Sequence, residues 1–211
     1  MYTETLYSKT KQVLDLLQKA DFLANFYLAG GTALALQLGH RKSVDLDFFA
    51  KEFPNIDLLL QNLSPYSPKV LQQSPGTLDV LIDGVKVSFL EYKYPLLRDL
   101  VRYQNINLAS IEDVACMKIS AISSRGSKKD FVDLYFIMQN KNYDIELLFS
   151  FFEEKYQEVS YQKLQIIKSL TYFTQADADP NPDFVSKTLS WEQIKKKLQL
   201  HSETFVKKLS A

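Results

Sequence analysis

The stretch FYLAGGTALALQLGHRKSVDLDFF, residues 26–49, predicts the order strand, glycine turn, helix, strand. Residues 26–29 form a short apolar and aromatic run that breaks at a pair of glycines. Strong helix formers follow from Thr32 and stop at Gly39, a residue type favoured just after a helix end. Residues 43–49 then alternate polar and apolar side chains, which is the period of a strand.

This last segment carries two acids, Asp45 and Asp47. Residues two apart in a strand point to the same face, about 6 to 7 Å apart along the chain. Two carboxylates with roughly 5 Å between their charges repel by about 3 kcal/mol at an effective dielectric constant near 20. A divalent cation relieves this repulsion, and Mg²⁺ (or Mn²⁺) prefers carboxylate oxygens, phosphates and water as ligands. We therefore expect the two acids to bind a metal ion.

The glycine turn, Gly30 and Gly31, opens the helix that precedes these acids. The start of a helix offers backbone N–H groups and the positive end of a dipole, which suit a triphosphate. Neither glycine has a side chain that would keep the backbone away from a ligand. Each motif alone is common in loops and on solvated strands. Their combination in this order favours a site for a metal-bound nucleoside triphosphate.

Composition excludes several classes of protein. Hydrophobic residues make up 46% and charged residues 24%, and 25 Lys plus Arg balance 25 Asp plus Glu. Such a balance argues against a protein that coats nucleic acid, although a local basic patch is compatible with it. The single cysteine, Cys116, excludes an intrachain disulfide and a multi-cysteine zinc site, and its apolar neighbours predict a buried, inert thiol. No signal peptide and no membrane span are expected, so a cytoplasmic location is predicted.

The chain changes character near residue 108. Before it, strand-like runs at residues 77–82 and 85–92 flank the turn Asp83-Gly84, which predicts a hairpin, and residues 94–108 read as a mixed connector. After it, helical patterns follow one another. The expected fold class is α+β, with an α/β core at 1–108 and a helical domain at 109–211 that completes the active-site cleft. The helices are expected at residues 6–22, 53–63, 114–124, 128–140, 145–156, 162–171 and 191–209.

Several motifs resemble the AbiEii/AbiGii toxin family, whose members have a nucleotidyltransferase fold and belong to bacterial toxin–antitoxin and abortive-infection systems. The resemblance covers most of the chain, and its first block is the most specific. It is carried by GGTALAL (30–36), GHRKSVDLDFF (39–49), SIEDVACMK (110–118) and RGSKKDFVDLY (125–135), and more weakly by DADP (177–180) and Trp191.

The resemblance implies a polymerase-β-like nucleotidyltransferase core, a short mixed sheet with helices. It implies that Asp45 and Asp47 bind the metal ion. The phosphates would be bound by Gly31 and Thr32, with Gly30 in the same turn.

The resemblance also implies roles for two residues of the helical half. Lys118 would be the cation on the nucleotide phosphates, and Asp130 the carboxylate on a helix that activity requires. From the residues alone, Lys118 either reaches solvent along an apolar surface, which is the more common case, or enters a cleft. Arg41 and Ser43 precede the acids, and Arg41 could contact a phosphate or brace Asp45.

One position departs from the pattern of polymerase-β-type enzymes, which usually add a third carboxylate from a neighbouring strand. The expected position on the strand at residues 85–90 holds Ser88. Asp79 or Glu91 could substitute for it. A one-metal mechanism, a different base such as Asp130, or a degenerate enzyme all stay open.

The function expected from these features is Mg²⁺-dependent transfer of a nucleotidyl group from a nucleoside triphosphate to an acceptor. The resemblance implies RNA (the 3′ end of a tRNA) or a protein as acceptor, a role as a toxin, and a cognate antitoxin as partner. Basic residues near Arg125, Lys128 and Lys129 could follow an RNA backbone or form a solvated helix face. The alternatives are transfer to a small molecule, as in antibiotic-modifying enzymes, and a degenerate module that binds nucleotide or a partner.

Overall fold

The computed structural model describes residues 1–186 and 190–209, and it divides into two compact units, Met1–Ser110 and Ile111–Ala211. The first unit contains a seven-stranded sheet. Its strands are β1 (Tyr27–Ala29), β2 (Leu46–Ala50), β3 (Lys69–Ser74), β4 (Thr77–Ile82), β5 (Val85–Glu91), β6 (Val101–Tyr103) and β7 (Ile106–Leu108). Its helices are α1 (Ser8–Leu17), α2 (Gly30–Leu38) and α3 (Ile56–Leu63).

The sheet is mixed, with the spatial order β3-β4-β5-β2-β1-β7-β6. Strand β1 pairs antiparallel with β2 and parallel with β7, while β2 pairs parallel with β5. Strands β4 and β5 form the hairpin predicted from Asp83-Gly84. Both turn residues have positive φ angles, 48° and 81°, as a tight two-residue hairpin turn requires.

Along the central strands, successive side chains point to opposite faces of the sheet. Phe48 and Phe89 are fully buried, with ring centroids 5.6 Å apart, in a core that includes residues of α1 and α3. The opposite face carries Asp47, Ser88 and Asp79, which are register partners across β2, β5 and β4. The polar and apolar alternation seen in the sequence therefore puts Asp47 on the face away from this core.

Helix α2 is bounded by two glycines in the left-handed region. Gly30 begins the helix with a φ angle of 66°, and Gly39 follows its last residue with a φ angle of 71°. The expected stop at Gly39 is confirmed, and the helix begins two residues before the Thr32 start expected from the sequence. The glycine turn is thus the first turn of the helix itself.

Three strands were not expected. Strand β3 was missed because almost all its side chains are exposed at the edge of the sheet, so it has no alternation of burial. Strands β6 and β7 are only three residues long and lie within the expected connector. Strand β2 also begins at Leu46 rather than at residue 43, and α3 begins at Ile56, capped by the Asn55 side chain, rather than at Phe53.

The second unit is helical in the part of the chain that the structure describes. Its helices are α4 (Ile111–Ser124), α5 (Lys128–Lys141), α6 (Ile145–Lys155), α7 (Lys163–Ser169), α8 (Thr174–Ala178) and α9 (Trp191–Leu209). The short helix α8 was not expected, and the others confirm the expected helices to within a few residues. Within residues 1–186 and 190–209, no helix is long and apolar enough to cross a membrane.

Candidate active site

Asp47 lies against the first residue of α2. A Cβ atom added to Gly30 would lie 3.0 Å from Oδ2 of Asp47. The antiparallel pairing of β1 with β2 causes this proximity, because it aligns Ala29 with Asp47. The structure therefore brings together the glycine turn and the second acid of the motif. Any residue with a side chain at position 30 would crowd the Asp47 carboxylate.

Arg41 and Ser43 lie at the next residue of the turn. A Cβ atom added to Gly31 would lie 2.5 Å from Nη2 of Arg41 and 3.4 Å from Oγ of Ser43. The Arg41 side chain is almost fully buried, and its Nη1 donates a hydrogen bond of 2.9 Å to the carbonyl oxygen of Lys42. A guanidinium group is thus fixed beside the start of α2, where it adds to the positive end of the helix dipole.

Thr32 fixes the segment that leads into β2. Its buried hydroxyl donates a hydrogen bond to the backbone carbonyl of Asp45 and lies 2.8 Å from the Ser43 hydroxyl. The backbone of Val44 is held in the same way, by a 3.0 Å hydrogen bond from Thr10. Because the Thr32 hydroxyl is engaged, a phosphate contact from this residue would come from its backbone N–H in the first turn of the helix.

Asp45 and Asp47 are both half-buried. Asp47 is a strand residue, whereas Asp45 precedes β2, so the expectation that both acids lie within one strand was wrong. Within the described residues, no group of three or more His, Cys, Asp and Glu side chains could hold a metal ion. A carboxylate beside a helix start, with a second acid two residues before it, fits Mg²⁺ that is bound together with a triphosphate, because Mg²⁺ keeps water and phosphate oxygens in its shell.

The position expected for a third carboxylate is occupied by Ser88, which is aligned with Asp47 and is 3% exposed. Asp79 is the register partner of Ser88 on the next strand, and its Oδ2 lies 2.8 Å from Nζ of Lys86. Glu91 is three residues beyond Ser88, so its side chain lies on the other face of the sheet. Of the two substitutes considered from the sequence, only Asp79 shares a face with Asp47.

In the second unit, Lys118 lies in a buried ionic cluster. Its Nζ is 2.9 Å from Oδ1 of Asp130 and 2.6 Å from Oδ2 of Asp133, and both acids are fully buried. Arg125 contacts Asp130 as well, with 3.0 Å between Nε and Oδ2. Two cations and two carboxylates balance each other, which makes the burial of Lys118, Asp130 and Asp133 tolerable, while the Arg125 side chain is 62% exposed.

The cluster keeps Asp130 ionised. Burial alone would raise the pKa of this carboxyl group, but the Lys118 charge and hydrogen bonds from Arg125, Ser127 and Lys118 outweigh it and lower the pKa to about 2. The Ser127 hydroxyl donates a hydrogen bond of 2.7 Å to Oδ2. Asp130 is therefore an acceptor with a fixed negative charge at neutral pH.

Sequence reasoning did not identify Lys86, Ser127 and Asp133 as partners in these clusters. Lys86 gives no sequence signal, because a lysine on an alternating strand is usually solvated. The i, i+3 spacing of Asp130 and Asp133 on one helix did indicate a shared face.

The expectation that Lys128 lies on an exposed basic face was wrong. This residue is 6% exposed, and its backbone N–H donates a hydrogen bond of 2.9 Å to Asp179. The buried, inert state expected for Cys116 is confirmed, since burial raises the pKa of its thiol to about 12.

Comparisons with known proteins agree with this geometry. The sequence pattern of the family described as nucleotidyl transferase AbiEii toxin, type IV TA system, matches residues 12–83 and 77–211. The chain belongs to this family. An uncharacterized protein of Aquifex aeolicus is 37% identical over 194 residues, which cover 90% of this chain and 92% of that protein.

Two solved structures share the fold of this AbiEii family member. A Helicobacter pylori protein assigned as a nucleotidyltransferase has a TM-score of 0.57 at 16% identity, with 97% of each chain covered. MenT4, a nucleotidyltransferase toxin of Mycobacterium tuberculosis, has a TM-score of 0.54 at 16% identity, covering 89% of this chain and 79% of that one. At such identities the likeness concerns the fold alone, and it confirms the polymerase-β-like α+β class.

Membership makes the chain a nucleotidyltransferase of a toxin family, with a nucleoside triphosphate as its substrate class and an antitoxin as its implied partner. The roles of individual residues do not follow from membership alone.

Proposed function

We propose that the chain transfers a nucleotidyl group from a nucleoside triphosphate to the 3′ end of an RNA, with tRNA as the first candidate. The observation that carries the proposal is the Asp47 carboxylate beside Gly30, at the opening of α2. The Asp47 carboxylate, a helix start and a buried guanidinium group lie together there, with Asp45 two residues before Asp47 in the chain. This combination suits a polyphosphate that arrives with a divalent cation.

Each residue of the first unit has a role in this proposal. Asp45 and Asp47 hold Mg²⁺, which supplies charge neutralisation and polarisation of the phosphates when it is bound. The N–H groups at Gly31 and Thr32 bind phosphate oxygens, with Gly30 giving the backbone its close approach. Arg41 adds a positive charge at the helix start, and Ser43 supports Thr32 through their hydroxyl contact.

The reaction is an in-line displacement. The oxygen of the acceptor hydroxyl bonds to the α-phosphorus, the bond from that phosphorus to the pyrophosphate oxygen breaks, and the hydroxyl proton leaves to water. Negative charge develops on the phosphate oxygens, so the site requires fixed positive groups. We also propose that Lys118 and Asp130 are required for transfer, with Asp130 as the carboxylate that holds Lys118 charged and oriented.

The test is incorporation of label from each of the four α-³²P-labelled triphosphates into tRNA, total cellular protein or aminoglycosides, offered in parallel. We expect label in tRNA, and we expect Asp45→Ala to lower it by at least about 10³-fold, as for loss of a group that stabilises the transferred phosphoryl charge. Asp57→Ala, which removes an exposed acid from α3, is the matched control and should label at the wild-type rate.

Unchanged labelling by Asp45→Ala would overturn the site assignment. Label in protein or in an aminoglycoside instead of tRNA would keep the site but replace the acceptor. Triphosphate binding without any release of pyrophosphate would mean a degenerate, binding-only module. The Lys118→Arg variant keeps the charge and changes its reach, so wild-type labelling by this variant would argue against a specific contact from Lys118.

A further inference from the structure

Lys86 lies on the acid-bearing face of the sheet. It is two residues before Ser88 on β5, so the two side chains point to the same face. Strand β5 runs parallel to β2 with Ser88 level with Asp47, which puts Lys86 level with the backbone of Asp45. A cation is therefore placed one strand away from the pair of acids.

The ammonium group of Lys86 is held by Asp79. Its Nζ lies 2.8 Å from Oδ2 of Asp79, and the side chains of Lys86 and Asp79 are 43% and 12% exposed. The hydrogen bond to Asp79 raises the pKa of Lys86, and the charges of Asp47 and Asp45 raise it further, against a lowering by burial. Lys86 is thus anchored on one side and lies in the field of the two acids on the other.

The charges around Ser88 differ from those of a two-metal site. In such a site, carboxylates bridge two cations that stabilise the attacking and leaving oxygens. Here the residue aligned with Asp47 is a neutral, buried serine, and the next acid along the row is already paired with a lysine. A second metal ion would lack one carboxylate ligand and would meet the ammonium charge of Lys86.

We propose that Lys86 is the second cation of the active site, where its ammonium group contacts the α-phosphate of the triphosphate and a single Mg²⁺ ion suffices. This inference rests on the proposed function and adds to it the metal count and a substrate-contacting residue. Lys86 forms no covalent bond in the reaction. Its charge balances the negative charge that develops on the phosphate oxygens, and Asp79 positions it by their salt bridge.

The first experiment compares transfer rates. Lys86→Met should lower kcat by about 10²- to 10³-fold, the usual effect of losing one electrostatic donor to a transition state. Lys86→Arg keeps the charge and should recover most of the rate. Lys93→Met is the matched control, because Lys93 also pairs with a strand acid, Glu91 at 3.2 Å, but is 74% exposed and lies beyond the end of β5. It should transfer at the wild-type rate.

The second experiment counts metal ions without catalysis. Mn²⁺ bound per chain is measured by electron paramagnetic resonance in the presence of a triphosphate with a methylene group between the α- and β-phosphorus atoms. The wild type should bind one Mn²⁺. The double variant Lys86→Met with Ser88→Asp, which removes the ammonium charge and restores the third carboxylate, should bind two.

Two results would overturn the assignment of Lys86: wild-type kcat in Lys86→Met, or two Mn²⁺ ions per wild-type chain. Thermal melting checks that each variant is folded, because Lys86→Met removes a salt bridge from Asp79, whose side chain is only 12% exposed. Asp45→Ala separates the two hypotheses. If Asp45→Ala is inactive while Lys86→Met is normal, only the role of Lys86 fails. If Asp45→Ala is active, the proposed function fails first.

Discussion

The acids of the first unit and those of the second are held in different ways. Asp130 and Asp133 are fully buried, and both contact the ammonium group of Lys118. Asp45 and Asp47 are half-buried, the Asp47 carboxylate lies beside the glycine turn, and the charges of both acids act on Lys86. Asp130 and Asp133 are thus closed off from solvent within the second unit, whereas Asp45 and Asp47 stay partly accessible to a ligand.

This difference predicts that the two sets of acids contribute differently to the stability of the protein without ligand. Removing one partner of a buried pair leaves an uncompensated charge, which destabilises the fold strongly. Removing one of two acids that repel each other at a half-exposed position relieves a repulsion. Without ligand, substitution of Asp133 should therefore affect stability more than substitution of Asp47.

The largest effect on stability is expected at Asp133. Asp133→Ala should lower the free energy of unfolding by about 3–5 kcal/mol, because it leaves Lys118 buried with only Asp130. Asp47→Ala should change the free energy of unfolding by no more than about 1 kcal/mol, because Asp47 is only half-buried and the contacts of partly exposed charges contribute little. Urea unfolding of both variants without ligand measures this. A larger loss in Asp47→Ala than in Asp133→Ala would reverse the comparison.

A smaller effect is expected at Gly30, with Gly84 as its control. Both glycines have positive φ angles, 66° and 81°, so an alanine at either should destabilise the protein by about 1–2 kcal/mol. Only Gly30 lies beside a carboxylate, since a Cβ atom at Gly84 would meet no heavy atom of the described chain within 4 Å.

Gly30→Ala should therefore also weaken binding of Mn²⁺ with triphosphate, by about tenfold or more, because small displacements within a site have large effects. Isothermal titration calorimetry of both variants tests this. Equal affinities in Gly30→Ala and Gly84→Ala would show that the Asp47 carboxylate does not need the space above Gly30.

A further effect is expected on acidification. The pKa of Asp130 is lowered from 3.8 to about 2 in the folded protein, so its ionic contacts stabilise the fold fully above about pH 3.8. This contribution is lost as the pH falls to about 2, because the unfolded chain then binds a proton that the folded chain does not.

Asp130→Asn should be less stable than the wild type at pH 7 and should lose less stability between those two pH values. Urea unfolding across this range measures the difference. Parallel loss in both proteins would place the acid sensitivity elsewhere in the chain.

The sequence predicted the parts of the fold that depend on local signals. The hairpin followed from Asp83-Gly84, because few residue pairs accept two positive φ angles. The end of α2 followed from Gly39 for the same reason. The helices of the second unit followed from their apolar period.

The parts that it did not predict depend on pairing between distant segments. Strands β6 and β7 are too short to show a period, and β7 exists because it pairs with β1. The partners of Lys118 and Lys86 are brought together by helix packing and strand register, and side-chain spacing alone could not identify them.

The antiparallel pairing of β1 with β2 has a consequence for how the family can diversify. The pairing aligns Ala29 with Asp47 and so puts the next residue, Gly30, beside the Asp47 carboxylate, whatever lies between them in the chain. Helix α2 and the loop after it could gain or lose a turn without moving the carboxylate away from the glycine. The distance between Gly30 and the Asp47 carboxylate therefore does not depend on the length of the intervening segment. That segment can change in evolution without moving the two apart.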